Sequence, residues 1–566
     1  MLIGIDLGTT NSLVGVFRNG EVELIPNALG HLLTPSAVSV ADDGSILTGL
    51  AALERATAHP STTATAFKRW MGTDRQIKLG SRQMRAEELS ALILSSLKAD
   101  AEAYLGEPVT EAVITVPAYF NDVQRQATRT AGQLAGLKVE RLLNEPTAAG
   151  LAYKLQERRE HTSFLVFDLG GGTFDVSVLE YFEGIVEVRA SAGDTRLGGE
   201  DFVQLLVDCF VEKAATLTSA DREAIAHDKA IWRAAEQAKR DLSERENATI
   251  AWRRGEQLHE VDLTRAEFEQ RCAPLLQRLR HPLERALRDA QVDPTGLDEV
   301  VLVGGASRMP IVRQLVTRMF SRLPLRTINP DEAIARGAAI QAALKARDAA
   351  LDEVVLTDVM PYSLGVIVSE EIGSRRYGDR FSPIIERNTP VPVSRMQSYS
   401  TLQDDQAVIT LDIRQGESPV GSENVKLGQL DVPIPRRPRG EVGVNVRFTY
   451  DANGLLEVEA HIPSTGQTHQ NVIQRNAAVM SEADIKLALE KLRVLKIHPR
   501  DKQENAYLLS RAKRLYEDRL GDARKDIAHA IGRFEAILDT QDEHLIRQAR
   551  VQFKEYLDSI DKGFVL

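Results

Sequence analysis

The sequence has little cysteine and no long apolar run. Only two cysteines occur among 566 residues, Cys209 and Cys272, and their spacing does not match a metal site. A disulfide scaffold or a cysteine-zinc centre is therefore not expected, and a reducing compartment is. No apolar run reaches the roughly 18 residues of a membrane-spanning helix, and the first residues do not form a cleavable signal pattern. These absences predict a cytoplasmic protein with no membrane partner.

The chain also lacks an excess of positive charge. It carries 70 Lys and Arg against 81 Asp and Glu, which gives a net charge of −11. This balance argues against a general nucleic-acid binder. A hydrophobic content of 43% and a charged content of 27% are typical of a globular protein. At this length one core does not suffice, so two to four domains are expected.

What the chain does contain is a glycine-rich turn between two apolar runs. Residues 164–178 read F-L-V-F-D-L-G-G-G-T-F-D-V-S-V, which predicts a hairpin with Asp168 at the end of its first strand. Glycines let bare backbone N–H groups approach an anion, and a carboxylate there could hold a hydrated divalent cation. An ordinary structural hairpin is the alternative interpretation of this stretch alone.

Residues 3–16 repeat the same sequence pattern. They read I-G-I-D-L-G-T-T-N-S-L-V-G-V, again with an Asp, a glycine and hydroxyls after an apolar run. This repeat favours an anion-binding turn over an ordinary structural hairpin. Residues 300–310 supply a third turn, in which a buried strand runs into Gly304 and Gly305 before a helix. Glu145, just before Pro146, is expected at a loop-to-helix junction. Together these features predict a nucleotide held in a cleft between two homologous lobes.

The remaining chain divides into three parts by its periodicity. Residues 203–290 are predicted to be largely helical, and Glu236, Lys239 and Ser243 share one helix face. An ordinary ion-paired surface, with Glu236 facing Lys239 or Arg240, explains that face equally well. Residues 360–475 show alternating segments and turn signals, which predict an antiparallel β-sandwich. From Ser481 onward a charged, amphipathic helical tail is expected.

These motifs, in this order, resemble the seventy-kilodalton heat-shock chaperones of the DnaK type, and most closely the HscC branch. The matching stretches are I-D-L-G-T-T-N-S, V-P-A-Y-F-N-D, N-E-P-T-A-A, D-L-G-G-G-T-F-D, G-G-E-D-F, G-G-A-S-R-M-P and N-P-D-E-A-I-A-R-G. The resemblance implies an α/β actin-like two-lobed ATPase domain, followed by a β-sandwich domain and a short helical lid. The implied ranges are 1–352 for the nucleotide-binding domain, 353–359 for a hydrophobic linker, 360–480 for the sandwich and 481–566 for the lid.

The resemblance also assigns catalytic and cofactor roles. It implies ATP and ADP as ligands, together with Mg²⁺ and room for K⁺. Lys68 would position the attacking water, Thr173 would contact the γ-phosphate, and Asp175 would support the cluster. The magnesium ligands, acting through water, would be Asp6, Glu145 and Asp168. The nucleotide-binding set would be Gly8, Thr9, Thr10, Asn11, Gly170, Gly171, Gly172, Thr173, Gly198, Gly199, Glu200, Glu236, Lys239, Arg240, Ser243, Gly304, Gly305, Ser307, Arg308 and Asp331.

Coupling and client binding are likewise implied by the resemblance. The interdomain set would be Pro117, Arg141, Val354, Val355, Leu356 and Asp358. Thr357 stands where the family usually has an aliphatic residue, which suggests weaker coupling. A J-domain co-chaperone would contact Arg141, Asn144, Thr147 and Asp358. The groove for an extended apolar client peptide would be formed by Val366, Ser369, Tyr399, Leu402, Ile409 and Leu411. The resemblance implies a monomer and leaves the nucleotide-exchange factor open.

Other functions remain compatible with the paired hairpins alone. Sugar kinases and filament-forming proteins of the actin-like superfold share them. Small-molecule kinases do not append a sandwich and a helical tail after residue 360, which argues against the kinase alternative. A regulator that binds one folded client, in place of generic unfolded ones, is a further alternative.

Overall fold

A computed structural model describes residues 1–154, 161–182, 184–214, 216–225, 228–325, 329–346, 355–372, 375–450, 456–473, 499–519, 521–539 and 543–561. Three sequence predictions lie outside these residues. They are the linker residue Val354, the turn at Asn453-Gly454 and the start of the tail helix at Ser481.

Residues 1–154 form the first lobe, which is built on a six-stranded sheet. Its strands are β1 Leu2–Asp6, β2 Asn11–Arg18, β3 Glu21–Ile25, β4 Thr34–Pro35, β5 Ala37–Val40, β6 Ile46–Thr48, β7 Thr63–Thr65, β8 Ile77–Leu79, β9 Arg82–Met84, β10 Glu111–Val116 and β11 Lys138–Asn144. Its helices are α1 Gly49–Ala58, α2 Ala86–Leu105, α3 Asp122–Leu134 and α4 Glu145–Lys154.

The first predicted hairpin lies at the centre of this sheet. The strand order is β11-β10-β1-β2-β3, with β4 paired to β2, and β5–β7 and β8–β9 form two small sheets. β1 runs parallel to β10 and antiparallel to β2, so the hairpin that follows Asp6 is confirmed. Ile3 and Ile5 on β1 are fully buried because α2 and α3 cover the sheet. The amide oxygen of Asn121 accepts the backbone N–H of Gln124 at 3.0 Å, which caps α3.

Residues 161–346 form the second lobe. Its elements are β12 His161–Leu169, β13 Phe174–Phe182, β14 Ile185–Asp194, α5 Gly199–Lys213, α6 Ser219–Ile225, α7 Lys229–Glu244, β15 Asn247–Arg254, β16 Gln257–Thr264, α8 Arg265–Arg271, α9 Ala273–Ala290, β17 Glu299–Val303, α10 Pro310–Phe320 and α11 Ala333–Ala346. β12 runs antiparallel to β13 and parallel to β17, which repeats the arrangement around β1. The predicted duplication of the hairpin is therefore confirmed.

One hairpin in the second lobe was not predicted. Most of residues 203–290 is helical, as expected, but β15 and β16 interrupt the helices as an antiparallel pair. Ala248, Ile250 and Trp252 alternate inward, opposite Val261 and Leu263 on the partner strand. This alternation about Gly255 has the period of two that is typical of strands. The sequence interpretation passed over it because the inward run is short and the outward positions of β15 include an alanine as well as polar residues.

Helix α11 returns from the second lobe to the first. It packs against β1 and α4, and small residues permit the close contact. A Cβ atom at Gly337 would lie 1.8 Å from the carbonyl oxygen of Ala148. A Cβ atom at Gly4 would lie 2.2 Å from the backbone of Ala338. Both lobes are therefore tied together at the base of the cleft.

The described part of residues 355–473 contains the predicted β-sandwich. The strands of this region are β18 Val355–Val359, β19 Leu364–Ile372, β20 Arg375–Ile385, β21 Pro390–Val391, β22 Val393–Ser400, β23 Val408–Gln415, β24 Val425–Pro433, β25 Gly443–Tyr450, β26 Leu456–Ile462 and β27 Gln467–Ile473. Two antiparallel sheets, ordered β20-β19-β23-β24 and β22-β25-β26-β27, face each other. Leu364, Ile413 and Phe448 are fully buried between them. β18 and β21 instead extend the second-lobe sheet beyond β14.

The described part of the tail contains α12 Pro499–Glu517, α13 Asp522–Asp539 and α14 Glu543–Asp561. These helices share a small core, in which the rings of Phe534 and Phe553 stack with centroids 4.6 Å apart. α12 also packs against α1 of the first lobe. Among the described helices, none is long and apolar enough to cross a membrane. The actin-like lobes, sandwich and helical tail together confirm the predicted fold class.

Candidate active site

The three glycine turns open into one cleft between the lobes. The cleft has a volume of about 1120 Å³ and is lined from both sides. The predicted residues that line it are Asp6, Gly8, Thr9, Thr10, Asn11, Lys68, Glu145, Asp168, Gly170, Gly171, Thr173, Gly199, Glu200, Glu236, Lys239, Arg240, Ser243, Gly304, Gly305, Ser307, Arg308 and Asp331. The volume suits a nucleotide-sized ligand, and the lining combines backbone donors, carboxylates and cations.

Two predicted nucleotide-binding glycines do not line the cleft. A Cβ atom at Gly198 would lie 2.5 Å from the carbonyl of Gly171, and one at Gly172 would lie 2.7 Å from the Thr9 side chain. These glycines allow the tips of the turns to approach each other. Their close packing shapes the turns that line the cleft.

Three carboxylates face one another at the inner end of the cleft. Asp6 ends β1, Asp168 lies near the end of β12, and Glu145 begins α4. All three side chains are buried. Burial raises the pKa of Asp6 to about 7, and the carboxylate of Glu145 adds to the shift. Burial and the neighbouring carboxylates likewise raise the pKa of Asp168 well above its usual value. This crowding of negative charge favours a cation.

The donor set is suited to a hydrated hard cation. Within the described chain, no three His, Cys, Asp or Glu side chains are close enough to hold a metal ion directly. Contact through water is what the family resemblance implies, and it stays a prediction. The acidic groups offer only oxygen donors, and Mg²⁺ prefers oxygen and keeps several of its waters. The residues therefore fit Mg²⁺ held through its hydration shell.

Lys68 is the cation nearest to this cluster. It lies in a short 3-10 helix, Phe67–Trp70, and is 3% exposed. Its Nζ donates to Oε1 of Glu145 at 2.7 Å. An ammonium group has three N–H donors, so two remain for a ligand or a water. The next residue, Arg69, pairs with Asp201 of the second lobe, which fixes the helix across the cleft.

Asp175 lies behind the cleft and does not line it. Burial raises the pKa of Asp175 to about 7, with a further contribution from Glu145. Its Oδ1 accepts the backbone N–H of Tyr119 at 2.9 Å. Tyr119 follows the predicted switch residue Pro117 by two positions. Asp175 thus joins the second-lobe hairpin to the Pro117 segment of the first lobe.

The helix face at residues 236–243 forms the ion pairs of a surface helix and also lines the cleft. Glu236 pairs with Lys239 at 2.6 Å and with Arg240 at 2.8 Å, as an ordinary surface helix would. Yet all three side chains, with Ser243, also line the cleft. Opposite them, Arg308 donates to Asp331 at 2.6 Å and to Asn329 at 2.7 Å. The ion pair with Asp331 and the hydrogen bond to Asn329 hold the guanidinium of Arg308 at the mouth, where a base can stack on it.

The sequence interpretation missed much of the apolar lining. The additional residues that line the cleft are Leu13, Leu33, Glu244, Leu302, Ala306, Met309, Arg313, Leu325, Asn329, Pro330 and Ile334. Asn329 and Pro330 stand in the N-P-D motif and could have been found there. The leucines and isoleucine carry no such signal, because in sequence they are indistinguishable from core residues.

The backbone conformation at Gly304 indicates that the third turn requires glycine at this position. Its φ of +79° lies in the left-handed region, and a Cβ atom would lie 2.4 Å from the carbonyl oxygen of Leu169. Gly304→Ala is expected to destabilise the second lobe by about 1–3 kcal/mol. Circular dichroism during thermal unfolding would measure the lower Tm. Gly305→Ala is the matched control, since its φ is not positive and its nearest neighbour is 3.1 Å away. Equal melting of the two variants would contradict this account.

The comparison with known proteins decides the family. The family model described as Hsp70 protein matches residues 2–79 and 74–562. The chaperone protein DnaK of Thermotoga neapolitana is 40% identical over 561 residues, which cover 97% of this chain and 92% of the relative. The chaperone protein DnaK of Thermotoga petrophila matches with the same identity and coverage. The chain belongs to the Hsp70 family.

Hsp70 proteins are ATP-dependent chaperones, so this chain binds and hydrolyses ATP and acts on client polypeptides. The match extends through the sandwich and the tail, which decides against the sugar-kinase and filament alternatives. The branch within the family stays a prediction. So do the roles of the individual residues.

The described part of the interdomain segment adds a strand to the Hsp70 second lobe. β18 runs parallel to β14, with Leu356 opposite Val186. Oδ2 of Asp358 accepts a hydrogen bond from Asn144 Nδ2 at 2.6 Å. Burial lowers the pKa of Arg141, and Asp358 opposes that shift, so these two side chains lie near each other. The structure thus brings Arg141, Asn144 and Asp358 together, while Thr147 is buried on α4.

The sandwich docks on the lobes of this Hsp70 through a polar interface. Arg387 donates two hydrogen bonds to Asp289 of α9, at 2.9 and 3.1 Å, and Asn388 donates a third at 2.9 Å. The ring of Tyr362 lies 4.4 Å from that of Tyr119, centroid to centroid. The Tyr362 hydroxyl also donates to the backbone carbonyl of Tyr119 at 3.3 Å. The interface therefore includes Tyr119, whose backbone N–H donates to Asp175.

The predicted groove residues lie in the sandwich, but not all are open to solvent. Val366, Ile409 and Leu411 are buried in its core. Ser369 is partly exposed on β19, and Leu402 is partly exposed in the loop after β22. The hydroxyl of Tyr399 lies 3.1 Å from Ser382 Oγ, which links β22 to β20.

Proposed function

We propose that the nucleotide in the cleft controls docking of the β-sandwich, and through it the binding and release of extended apolar client segments. The observation that carries this proposal is the continuous run from Asp175 to Tyr119 to Tyr362. It connects the hairpin that bears Asp168 and Thr173 to the sandwich by a hydrogen bond of 2.9 Å and a ring contact. The docked arrangement is the ATP form, in which clients leave quickly.

Hydrolysis in this account relies on position and charge. Mg²⁺ supplies neutralisation of phosphate charge when bound, and Asp6, Glu145 and Asp168 hold it through water. Lys68 donates to Glu145, which orients its Nζ. Its remaining N–H groups then hold the attacking water and a γ-phosphate oxygen. The hydroxyl of Thr173 donates to the same phosphate, and the backbone N–H groups of the three turns cradle the others.

The domain boundaries and partners complete the proposal. The nucleotide-binding domain is 1–352, the linker 353–359, the sandwich 360–480 and the lid 481–566. A J-domain co-chaperone docks beside Arg141, Asn144, Thr147 and Asp358, where Arg141 and Asp358 are partly exposed and Asn144 and Thr147 are buried. This siting is supported by the clustering of three of these residues beside β18. The protein works as a cytoplasmic monomer, with K⁺ as a second cation beside the nucleotide.

A client-release assay tests the proposal. A fluorescently labelled, extended apolar peptide is bound to the full chain, and its release is followed after addition of ATP or ADP. Release is expected to be about tenfold faster with ATP, the range that interdomain coupling commonly reaches. Equal release rates with the two nucleotides, with peptide demonstrably bound, would overturn the proposal.

A further inference from the structure

Glu54 lies where three parts of the molecule meet. It is on α1 of the first lobe, and its side chain is 13% exposed. Its Oε2 lies 3.0 Å from Nε of Arg514, on the tail helix α12. The same oxygen lies 3.6 Å from Nη1 of Arg233, on the second-lobe helix α7. One carboxylate oxygen is therefore shared between an arginine of the tail and an arginine of the second lobe.

The two ion pairs connect Glu54 to two different parts of the molecule, the tail and the second lobe. The pair with Arg233 bridges the lobes, and Arg233 lies one turn before Glu236, which lines the cleft. The most extensive contacts of α12 with the lobes are made to α1, α2 and β6, which belong to the first lobe. Arg514 also lies 3.7 Å from Asp518 on its own helix, and Arg511, one turn earlier, is paired with Asp558. The carboxylate of Glu54 is thus the electrostatic link between tail docking and lobe closure.

The single negative charge of Glu54 cannot neutralise the charges of both arginines. The arginines repel each other, and each reduces the attraction that the other feels for Glu54, so the two pairings oppose one another. The geometry reflects this, because the ion pair of Oε2 with Arg514, at 3.0 Å, is shorter than its ion pair with Arg233, at 3.6 Å, and neither contact has hydrogen-bond geometry. When the tail undocks from the first lobe, the Glu54 carboxylate can pair with Arg233 alone.

We propose that the docked tail weakens the bridge between the lobes and thereby speeds nucleotide release. This regulation rests on the proposed function only in requiring that the lobes separate to release the nucleotide. By reciprocity, firm closure of the lobes disfavours tail docking. The tail is in this way a built-in accelerator of nucleotide exchange, acting through Glu54.

Release of a fluorescent ADP analogue from the full chain, followed by stopped flow, tests the proposal. Arg514→Gln is expected to slow release about two- to fivefold, the effect of a partly exposed ion pair. Arg233→Gln is expected to speed release. In the Arg233→Gln background, Arg514→Gln is expected to change nothing, because the bridge is already absent.

Lys513→Gln is the matched control, since Lys513 is exposed on the same helix and its replacement removes the same charge. Its release rate is expected to equal that of the wild type. Faster or unchanged release in Arg514→Gln would overturn the proposal, as would an equal slowing in the Arg233→Gln background. A wild-type chain that bound no nucleotide would contradict the function proposed for the cleft as well. Normal binding with no effect of Arg514 would contradict this inference alone.

Discussion

Replacement of Lys68 by alanine is expected to lower the rate of ATP hydrolysis about 10²–10³-fold while ATP still binds. Lys68 is the buried cation that pairs with Glu145, beside the buried carboxylates of the cleft. Its loss removes the donors for the attacking water and the developing phosphate charge. Nucleotide affinity should change little, because Arg308 and the 236–243 helix face, the predicted nucleotide contacts at the other side of the cleft lining, are left unchanged. Single-turnover hydrolysis and equilibrium nucleotide binding separate the two effects.

Two further variants separate the loss of the Lys68 ammonium group from a loss of packing and from a general effect of removing a lysine. Lys68→Met keeps the apolar stem of the side chain and should be as slow as Lys68→Ala. Lys78→Ala removes an exposed lysine on β8 and should hydrolyse ATP at the wild-type rate. Wild-type hydrolysis by a folded Lys68→Met variant would show that the role given to Lys68 is wrong.

Asp289→Asn is expected to abolish the acceleration of client release by ATP. Asp289 accepts both hydrogen bonds of a bidentate Arg387 and one from Asn388, whereas an amide presents one oxygen and one NH₂ group that cannot accept. Removing one partner of such a charge pair costs about 2 kcal/mol, the lower limit for buried pairs, because Arg387 is partly exposed. The equilibrium constant for docking should then fall about 30-fold. Client release with ATP should approach the rate with ADP.

A carboxylate on the same helix supplies the control for this variant. Glu284 pairs with Arg280 on the exposed face of α9, one turn before Arg288. Glu284→Gln should release clients as the wild type does, with ATP and with ADP. If Asp289→Asn kept full acceleration by ATP, the polar interface would not carry the coupling.

Local patterns predicted the parts of the cleft that the backbone makes. Each glycine turn follows a short apolar strand and precedes a strand or helix, so Asp6, Asp168 and Gly304 could be placed from a few neighbouring residues. The family resemblance then supplied Lys68 and Arg308, whose roles no local pattern reveals. The β15–β16 hairpin was overlooked although its alternation is visible.

Long-range pairing could not be predicted in this way. Asp289 and Arg387 are 98 positions apart, and Glu54 and Arg514 lie at opposite ends of the chain. Nothing in the neighbourhood of any of these residues distinguishes it from an ordinary solvated charge. Their partners follow from how the sandwich and the tail dock, which depends on whole surfaces rather than on a single segment.

The most direct test of the central claim is the distance between the first lobe and the sandwich in each nucleotide state. Spin labels on cysteines introduced at Lys78 and Ser394, both exposed, would report it by pulsed electron resonance. The native Cys209 and Cys272 are buried and leave the labelling specific. The Lys68→Ala background keeps ATP intact during the measurement. The account predicts one narrow distance with ATP and a longer, broader distribution with ADP. The same distribution in both states would contradict control of docking by the nucleotide.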